Sequence, residues 1–134
     1  MSTSSSIKEE ISLKKFKEKI LNDFRTICLS REISILGRRE VLLGRGKFGI
    51  FGDGKELPQV VMSHFFKNGD FRSGYYRDLT ILLSQDLLSA REFFSAIYGH
   101  PDQIYERMAG GRQMVGHFLT CLLYTSDAAD DPAS

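Results

Sequence analysis

The segment best suited to bind a charged ligand is Gly74-Tyr75-Tyr76-Arg77-Asp78, in which two tyrosines come directly before an arginine. The planar guanidinium of arginine can bind phosphate oxygens through two parallel hydrogen bonds, and a phenol beside it can donate another. More often such an arginine is structural and pairs with a neighbouring acid on a solvated surface. Tyr76 and Arg77 are therefore a candidate phosphate site, and an ion pair to a nearby carboxylate is the alternative.

A second candidate site is the sequence Gly-Gly-Arg-Gln-Met-Val-Gly-His-Phe at residues 110–118. Its histidine, His117, could donate a proton or a hydrogen bond, because histidine changes charge nearest to neutral pH. The alternative is an ordinary loop histidine. We expect the other two histidines, His64 and His100, to be structural, on a helix face and at a helix start.

Half of the twelve glycines lie between residues 37 and 54, which predicts a helix end followed by a loop shaped by its backbone. Within this stretch, residues 44–49 satisfy the GxGxxG pattern of dinucleotide-binding folds. That pattern needs a strand directly before it and a helix directly after it. Here the preceding residues continue a helical period, so a chance match in a glycine-rich loop is the favoured interpretation.

Composition and charge limit the possible functions. The 134 residues carry 18 basic and 17 acidic side chains, and the net charge of +1 provides no overall field to attract nucleic acid or a membrane surface. Cys28 and Cys121 are isolated in sequence, and the polar start Met-Ser-Thr-Ser-Ser-Ser lacks the apolar segment of a secretory signal. No apolar run approaches the roughly 20 residues of a membrane span. We expect a soluble cytoplasmic protein.

The apolar periodicity predicts a mainly helical chain. After a frayed start at residues 1–6, a long amphipathic helix is expected at about residues 7–43, with Ser12 as its N-cap and Gly37 interrupting its last turns. Its apolar residues recur every three or four positions: Phe16, Ile20, Phe24 and Ile27.

Four further segments are predicted. Pro58 fits the first turn of a helix that runs to about Lys67, and Phe71 to Tyr76 is either extended or a loop. A buried helix is expected at residues 78–84. Ser89 and Glu92 form a capping box before a helix at residues 90–98 that Gly99 ends, and a short helix follows to Met108.

The last residues, 121–134, resemble a sequencing adapter read in frame and no structural motif. Such fusion sequences are excluded from fold reasoning. We therefore expect the native sequence to be interrupted near Thr120, and a genuine acidic C-terminus is the alternative.

Taken together, residues 44–55, residues 69–78 and Gly111-Arg112-Gln113-Met114 with His117 resemble the alpha subunits of thiamine-diphosphate-dependent 2-oxo acid dehydrogenases. The resemblance covers about residues 13–120. It is strongest to the branched-chain (2-oxoisovalerate) type, especially to forms in which the alpha and beta parts are fused. It implies that the whole protein has the α/β thiamine-diphosphate-binding fold, of which residues 7–120 are a predominantly helical N-terminal part.

The resemblance also assigns roles to residues. It implies that Tyr76 and Arg77 contact the diphosphate of the cofactor and that Tyr76 also faces the substrate. Phe48, Met114 and His117 match positions that line the 2-oxo acid pocket, with His117 as the catalytic candidate. Val115-Gly116 departs from the proline-containing pair common in separate alpha subunits, which leaves the local pocket shape open.

The reaction that the resemblance implies is decarboxylation of a 2-oxo acid of the branched-chain type, with acyl transfer to a lipoyl domain. The implied cofactors are thiamine diphosphate and magnesium, with the magnesium ligands beyond this segment. The implied partners are a beta part and a lipoyl-bearing acyltransferase, so the segment alone is expected to be inactive.

One more glycine pattern needs care, because Gly52-Asp53-Gly54 matches the GDG of thiamine-diphosphate enzymes, whose aspartate binds magnesium together with a later asparagine. The only downstream asparagine, Asn68, comes too early. Asp53 is therefore predicted to cap the Pro58 helix instead.

Two other functions remain open. A nucleotide-binding protein would use residues 44–49, with a strand before Gly44 and a helix after Gly49. A helical interaction module without chemistry would place Tyr76, Arg77 and His117 on different sides of the fold.

Overall fold

The computed structural model describes residues 12–67, 69–72, 74–107, 109–112 and 120–121. Its elements, in chain order, are α1 (Leu13–Leu42), α2 (Glu56–Ser63), β1 (Phe71–Arg72), α3 (Leu79–Ser84), α4 (Ala90–Tyr98) and β2 (Thr120–Cys121). The two short strands pair antiparallel, with Phe71 opposite Cys121 and Arg72 opposite Thr120. The described part of the chain is mostly helical, as predicted for this segment.

The first helix, α1, begins at Leu13, later than the predicted start near residue 7, and it has Ser12 as its predicted N-cap. The side chain of Ser12 accepts a hydrogen bond from the backbone N–H of Lys15 at 3.4 Å, which caps the first turn. The predicted residues 7–11 lie outside the described residues. The predicted interruption at Gly37 is wrong, because α1 is continuous to Leu42. Gly37 is instead a packing position, where a methyl group would lie 2.5 Å from the ring of Phe51.

The second helix, α2, has Pro58 in its first turn as predicted but ends at Ser63 rather than near Lys67. The prediction that Asp53 caps it is wrong, because the Asp53 carboxylate pairs with Arg38. The acid near the helix start is Glu56, which accepts a hydrogen bond from the Gly54 N–H at 2.9 Å. Arg31 of α1 binds the same carboxylate through two nitrogens at 2.6 and 2.9 Å, and this pairing lowers the pKa of Glu56.

The hydrophobic core lies where α1, α3 and the start of α4 meet. The predicted buried helix is confirmed as α3, and its apolar residues are packed with Ile33 of α1 and with Leu88. Phe93 and Phe94 of α4 cover this cluster. A buried hydrogen bond of 2.7 Å between the hydroxyls of Ser30 and Thr80 joins α1 to α3 beside it. The core therefore fixes the short helix that follows the Tyr76–Arg77 segment.

The fourth helix, α4, has the predicted capping box. The Ser89 hydroxyl accepts from the Glu92 N–H, and the Glu92 carboxylate accepts from the Ser89 N–H at 2.8 Å. Gly99 ends the helix in the left-handed conformation, with φ of 66°.

The predicted short helix before Met108 is wrong, and this stretch consists of turns. The Asp102 carboxylate accepts from the Ile104 N–H at 2.8 Å and its carbonyl accepts from the Glu106 N–H at 3.0 Å, which makes a single turn that does not continue as a helix. The buried Glu106 then accepts from the N–H groups of Ala109 and Gly111 at 2.8 and 3.0 Å. Its carboxylate organises the loop that follows.

Within the described residues, no helix is long and apolar enough to cross a membrane.

Candidate functional site

Tyr76 and Arg77 form a turn between β1 and α3, and neighbouring elements hold the backbone of that turn. The carbonyl oxygen of Arg77 accepts a hydrogen bond from the side-chain amide of Gln59 in α2 at 2.9 Å. The other end of the Gln59 side chain accepts from the Thr80 N–H at 3.1 Å. Gly52 lies against the same Arg77 carbonyl so closely that a Cβ there would overlap the oxygen. The turn is therefore positioned independently of the arginine side chain.

The two tyrosines of the turn stack against each other. Their ring centroids are 3.9 Å apart, and the phenol of Tyr75 donates a hydrogen bond to the phenol of Tyr76. This hydrogen bond raises the pKa of Tyr75.

The Arg77 side chain is not used in an ion pair with any described residue. Its guanidinium lies over the Tyr76 ring, with Cζ 5.4 Å from the centroid. Its Nε is buried, and no group within hydrogen-bonding distance accepts from it. A buried donor without an acceptor is costly. Because Nε is shielded from solvent, an anionic ligand would reach the guanidinium at its terminal nitrogens.

The neighbouring acid, Asp78, has other partners. Its carboxylate accepts from Nη1 of Arg72 at 2.5 Å and from the Tyr75 N–H at 2.9 Å. The structural alternative for Arg77, a pair with the adjacent carboxylate, is therefore not what the structure shows. Asp78 instead binds the Arg72 side chain and the Tyr75 backbone, and so holds both close to the start of α3.

Phe48 lies on the loop between α1 and α2, with 41% of its surface exposed. This loop begins beside α4, where the Lys47 N–H donates to the Ile97 carbonyl at 2.9 Å. It then places Phe51 edge-on against Phe93, with centroids 6.2 Å apart, and reaches the Arg77 carbonyl at Gly52. The glycine-rich loop thus joins the end of α4 to the Tyr76–Arg77 turn.

The other two predicted pocket residues, Met114 and His117, lie outside the described residues. Described residues before and after them are fixed by backbone contacts. Gly111, with φ of 75°, lies against the Gly99 carbonyl at the end of α4, where a Cβ would be 2.5 Å from that oxygen. On the other side, the backbone of Thr120 pairs with that of Arg72, five residues before Arg77.

The nucleotide-binding arrangement is contradicted by the backbone around residues 44–49. The helix α1 ends directly before Gly44, and residues 48–52 form neither a helix nor a strand. The strand and the helix that would position a pyrophosphate are thus missing on both sides of the pattern.

Among the described residues, no cluster of three histidine, cysteine or acidic side chains is close enough to hold a metal ion. Asp53 of the GDG pattern is paired with Arg38.

His64 and His100 have structural contacts in this model. The Nε2 of His64 lies 2.9 Å from the Asp23 carboxylate and so ties the end of α2 to α1. The Nδ1 of His100 accepts from the Asp102 N–H at 3.2 Å.

Sequence reasoning missed three residues that build the site: Gln59, Arg72 and Glu106. Arg72 is 9% exposed, and its second terminal nitrogen, Nη2, is buried without a hydrogen-bond partner. Arg72 and Asp78 lie six residues apart, and neither their types nor this spacing indicated that they pair. Gln59 contacts backbone groups 18 and 21 residues away, while Glu106 contacts N–H groups three and five residues later, and neither residue type indicated these contacts.

No protein-family model matches this chain, and no curated protein or solved structure is significantly similar to it.

Proposed function

We propose that this chain is the N-terminal alpha part of a thiamine-diphosphate-dependent 2-oxo acid dehydrogenase, of the branched-chain type. In this proposal the Tyr76–Arg77 turn binds the diphosphate of the cofactor. The substrate is a 2-oxo acid, and the acyl product passes to a lipoyl-bearing acyltransferase. Activity requires a beta part and magnesium ligands that these residues do not supply.

The observation that carries the proposal is the state of the Arg77 side chain. Its Nε is a buried donor without an acceptor, the adjacent acid Asp78 is bound to Arg72, and the backbone of the turn is held by Gln59. A diphosphate oxygen would satisfy the guanidinium with a charge-assisted hydrogen bond, the strongest kind available to it. The residues present therefore fit the acidic end of thiamine diphosphate.

A neutral aromatic pair lies beside that charge. The Tyr75 phenol donates to the Tyr76 phenol, and the Tyr76 ring lies against the Arg77 guanidinium, so in this proposal the phenol oxygen of Tyr76 lies next to the bound phosphate and faces the substrate. The bound cofactor would supply the electron sink for decarboxylation, while the protein binds, orients and neutralises charge. Phe48, Met114 and His117 are proposed to line the 2-oxo acid pocket, with His117 holding or moving a proton there.

The test is thiamine diphosphate binding to the protein that carries this chain together with its beta part, in the presence of magnesium, measured by calorimetry. Arg77→Ala should weaken binding by ~1.5–3 kcal/mol, or roughly ten- to hundredfold, because a charge-assisted hydrogen bond is lost. Folding should be preserved, since Gln59 and Gly52 hold the backbone of Arg77 and not its side chain.

Arg91→Ala is the matched control. Arg91 also lies over a tyrosine ring, with Cζ 4.4 Å from the Tyr105 centroid, but on α4 and away from the turn. It should leave cofactor affinity within about twofold of wild type. Equal affinity for the wild type and Arg77→Ala would remove Arg77 from the site and the proposal with it.

A non-catalytic interaction module is the second candidate, because many large apolar side chains of α1 are exposed, among them Phe16, Ile20 and Phe24. The absence of any thiamine diphosphate binding by the assembled protein would favour it.

A further inference from the structure

An apolar groove lies between the second half of α1 and the start of α4. Its volume is about 370 Å³, and it is lined by Leu29, Ile33, Ile35 and Leu36 of α1 and by Ala90 and Phe94 of α4. Leu29, Ile35 and Leu36 are each more than a third exposed, so the groove is an open surface rather than part of the core. An apolar strip of this kind on a helix is suited to receive another helix.

Two charged residues, Glu32 and Arg39, also line the groove. The other charged side chains in this half of α1 each pair within the chain: Arg31 with Glu56, Arg38 with Asp53 and Glu40 with Arg45. In the part of the chain that the structure describes, Glu32 and Arg39 have no such pair. The charges left without a partner are therefore the two on the groove, one of each sign.

The spacing of this acid and this base is self-complementary. Seven residues are two helical turns, so Glu32 and Arg39 lie on nearly the same face of α1, ~10 Å apart along its axis. A second copy of α1 running antiparallel, with a two-fold axis between Ile35 and Leu36, would place each Glu32 opposite the Arg39 of the other copy. A parallel arrangement would place like charges together, which is unfavourable.

The apolar residues follow the same symmetry. An axis between residues 35 and 36 places Ile35 opposite Leu36, and Leu29 opposite Leu42, which is 80% exposed. The paired stretch from Leu29 to Leu42 is ~20 Å long, and two ion pairs lie within it.

We propose that the groove between α1 and α4 is a homodimer interface, in which α1 of a second copy lies antiparallel to α1 of the first and Glu32 of each copy pairs with Arg39 of the other. This interface uses the opposite end of α1 from its exposed phenylalanines and none of the residues of the Tyr76–Arg77 turn. It is therefore independent of the proposed catalytic function.

Sedimentation velocity of the full chain tests the interface by charge reversal. The wild type should sediment as a dimer. Glu32→Arg and Arg39→Glu should each weaken dimerisation at least tenfold, because each change places two like-charge contacts in the symmetric interface. The double variant, which exchanges the two charges, should recover dimerisation. Circular dichroism checks that each variant keeps its helix content.

A mixture of the two single variants gives the sharpest result. One variant carries two arginines on the groove and the other two glutamates, so the mixture should form heterodimers although neither variant dimerises alone. Lys19→Glu, at an exposed position in the first half of α1, is the control for a charge change on the same helix and should dimerise as the wild type does. A monomeric wild type, single variants that associate as the wild type does, or a mixture that stays monomeric would each overturn the interface.

Discussion

At the residue scale, several arginines of the described residues are fixed by ion pairs, and Arg77 is not. Arg31 and Arg38 of α1 bind Glu56 at the start of α2 and Asp53 in the loop before it, and Arg45 of that loop binds Glu40 of α1. Arg77 sits on Tyr76 with a buried nitrogen that has no acceptor. This contrast gives the phosphate assignment a physical basis beyond the sequence motif.

Glu40 provides a residue-scale prediction about pH. The hydrogen bond from Arg45, with a further one from the Tyr98 phenol, lowers the pKa of this carboxyl from its ordinary value of 4.5 to about 2, although burial opposes the change. A lowered pKa in the folded state means that the stabilisation is fully present above pH 4.5 and is lost as the pH falls toward 2. Glu40→Gln should therefore be less stable than the wild type at pH 7, and this difference should shrink between pH 4.5 and pH 2.

Urea denaturation at pH 7, 4 and 2.5 measures this difference. Glu18→Gln, at an exposed position of the same helix, is the control for the loss of one carboxylate and should have a small effect at pH 7. A stability difference for Glu40→Gln that is the same at all three values would contradict the assigned pairing.

At the element scale, the fold depends on short helices whose ends are set by side chains. The capping box of α4 is the clearest case, because Ser89 and Glu92 satisfy each other's backbone N–H groups. The helix holds Phe93 and Phe94 on the core and Ile97 against the glycine-rich loop. Loss of the cap should therefore be felt in the stability of the whole chain.

Ser89→Ala is expected to lower the free energy of unfolding by ~1 kcal/mol, within a range of roughly 0.5–2, as N-cap deletions do. Ser95→Ala is the matched control, because that hydroxyl only donates to the Arg91 carbonyl within the same helix at 2.9 Å. Urea denaturation measures the free energy of unfolding of both variants. Equal decreases for Ser89→Ala and Ser95→Ala would mean that the capping box does not stabilise α4.

Sequence reasoning succeeded for elements whose signals are local. Ser12, the Ser89 box and Gly99 mark helix ends through neighbouring backbone groups, and each was found from sequence. It failed where contacts between residues far apart in sequence determine the structure. Gly37 was expected to break α1, but the ring of Phe51 fills the space where its side chain would be. Asp53 was expected to cap α2, but Arg38 takes its carboxylate.

The candidate site also contains some residues that the sequence predicted and others that it did not. The Tyr76–Arg77 pair and Phe48 could be proposed from their types and order in the sequence. The residues that hold the turn could not, because Gln59 reaches Arg77 across 18 positions and Gly52 reaches it across 25. Nothing local in the sequence indicated that Asp78 would bind Arg72 rather than Arg77.

At the scale of the whole molecule, the described residues form a small core and leave many large apolar side chains exposed. The first half of α1 has the predicted apolar periodicity, yet Phe16, Ile20 and Phe24 are each half exposed or more. Buried residues of α1 begin only at Ser30. The periodicity correctly predicted a helix. In the described part of the chain the end of α2 reaches this half of α1 at Asp23, and it leaves these three apolar side chains exposed.

A crystal structure of the assembled protein with thiamine diphosphate and magnesium would show directly whether the Tyr76–Arg77 turn binds a diphosphate. A diphosphate oxygen is expected about 2.7–2.9 Å from the guanidinium of Arg77, the distance of a charge-assisted hydrogen bond, with the Tyr76 phenol beside it. A cofactor bound elsewhere, with Arg77 paired to a carboxylate of the protein, would contradict the account.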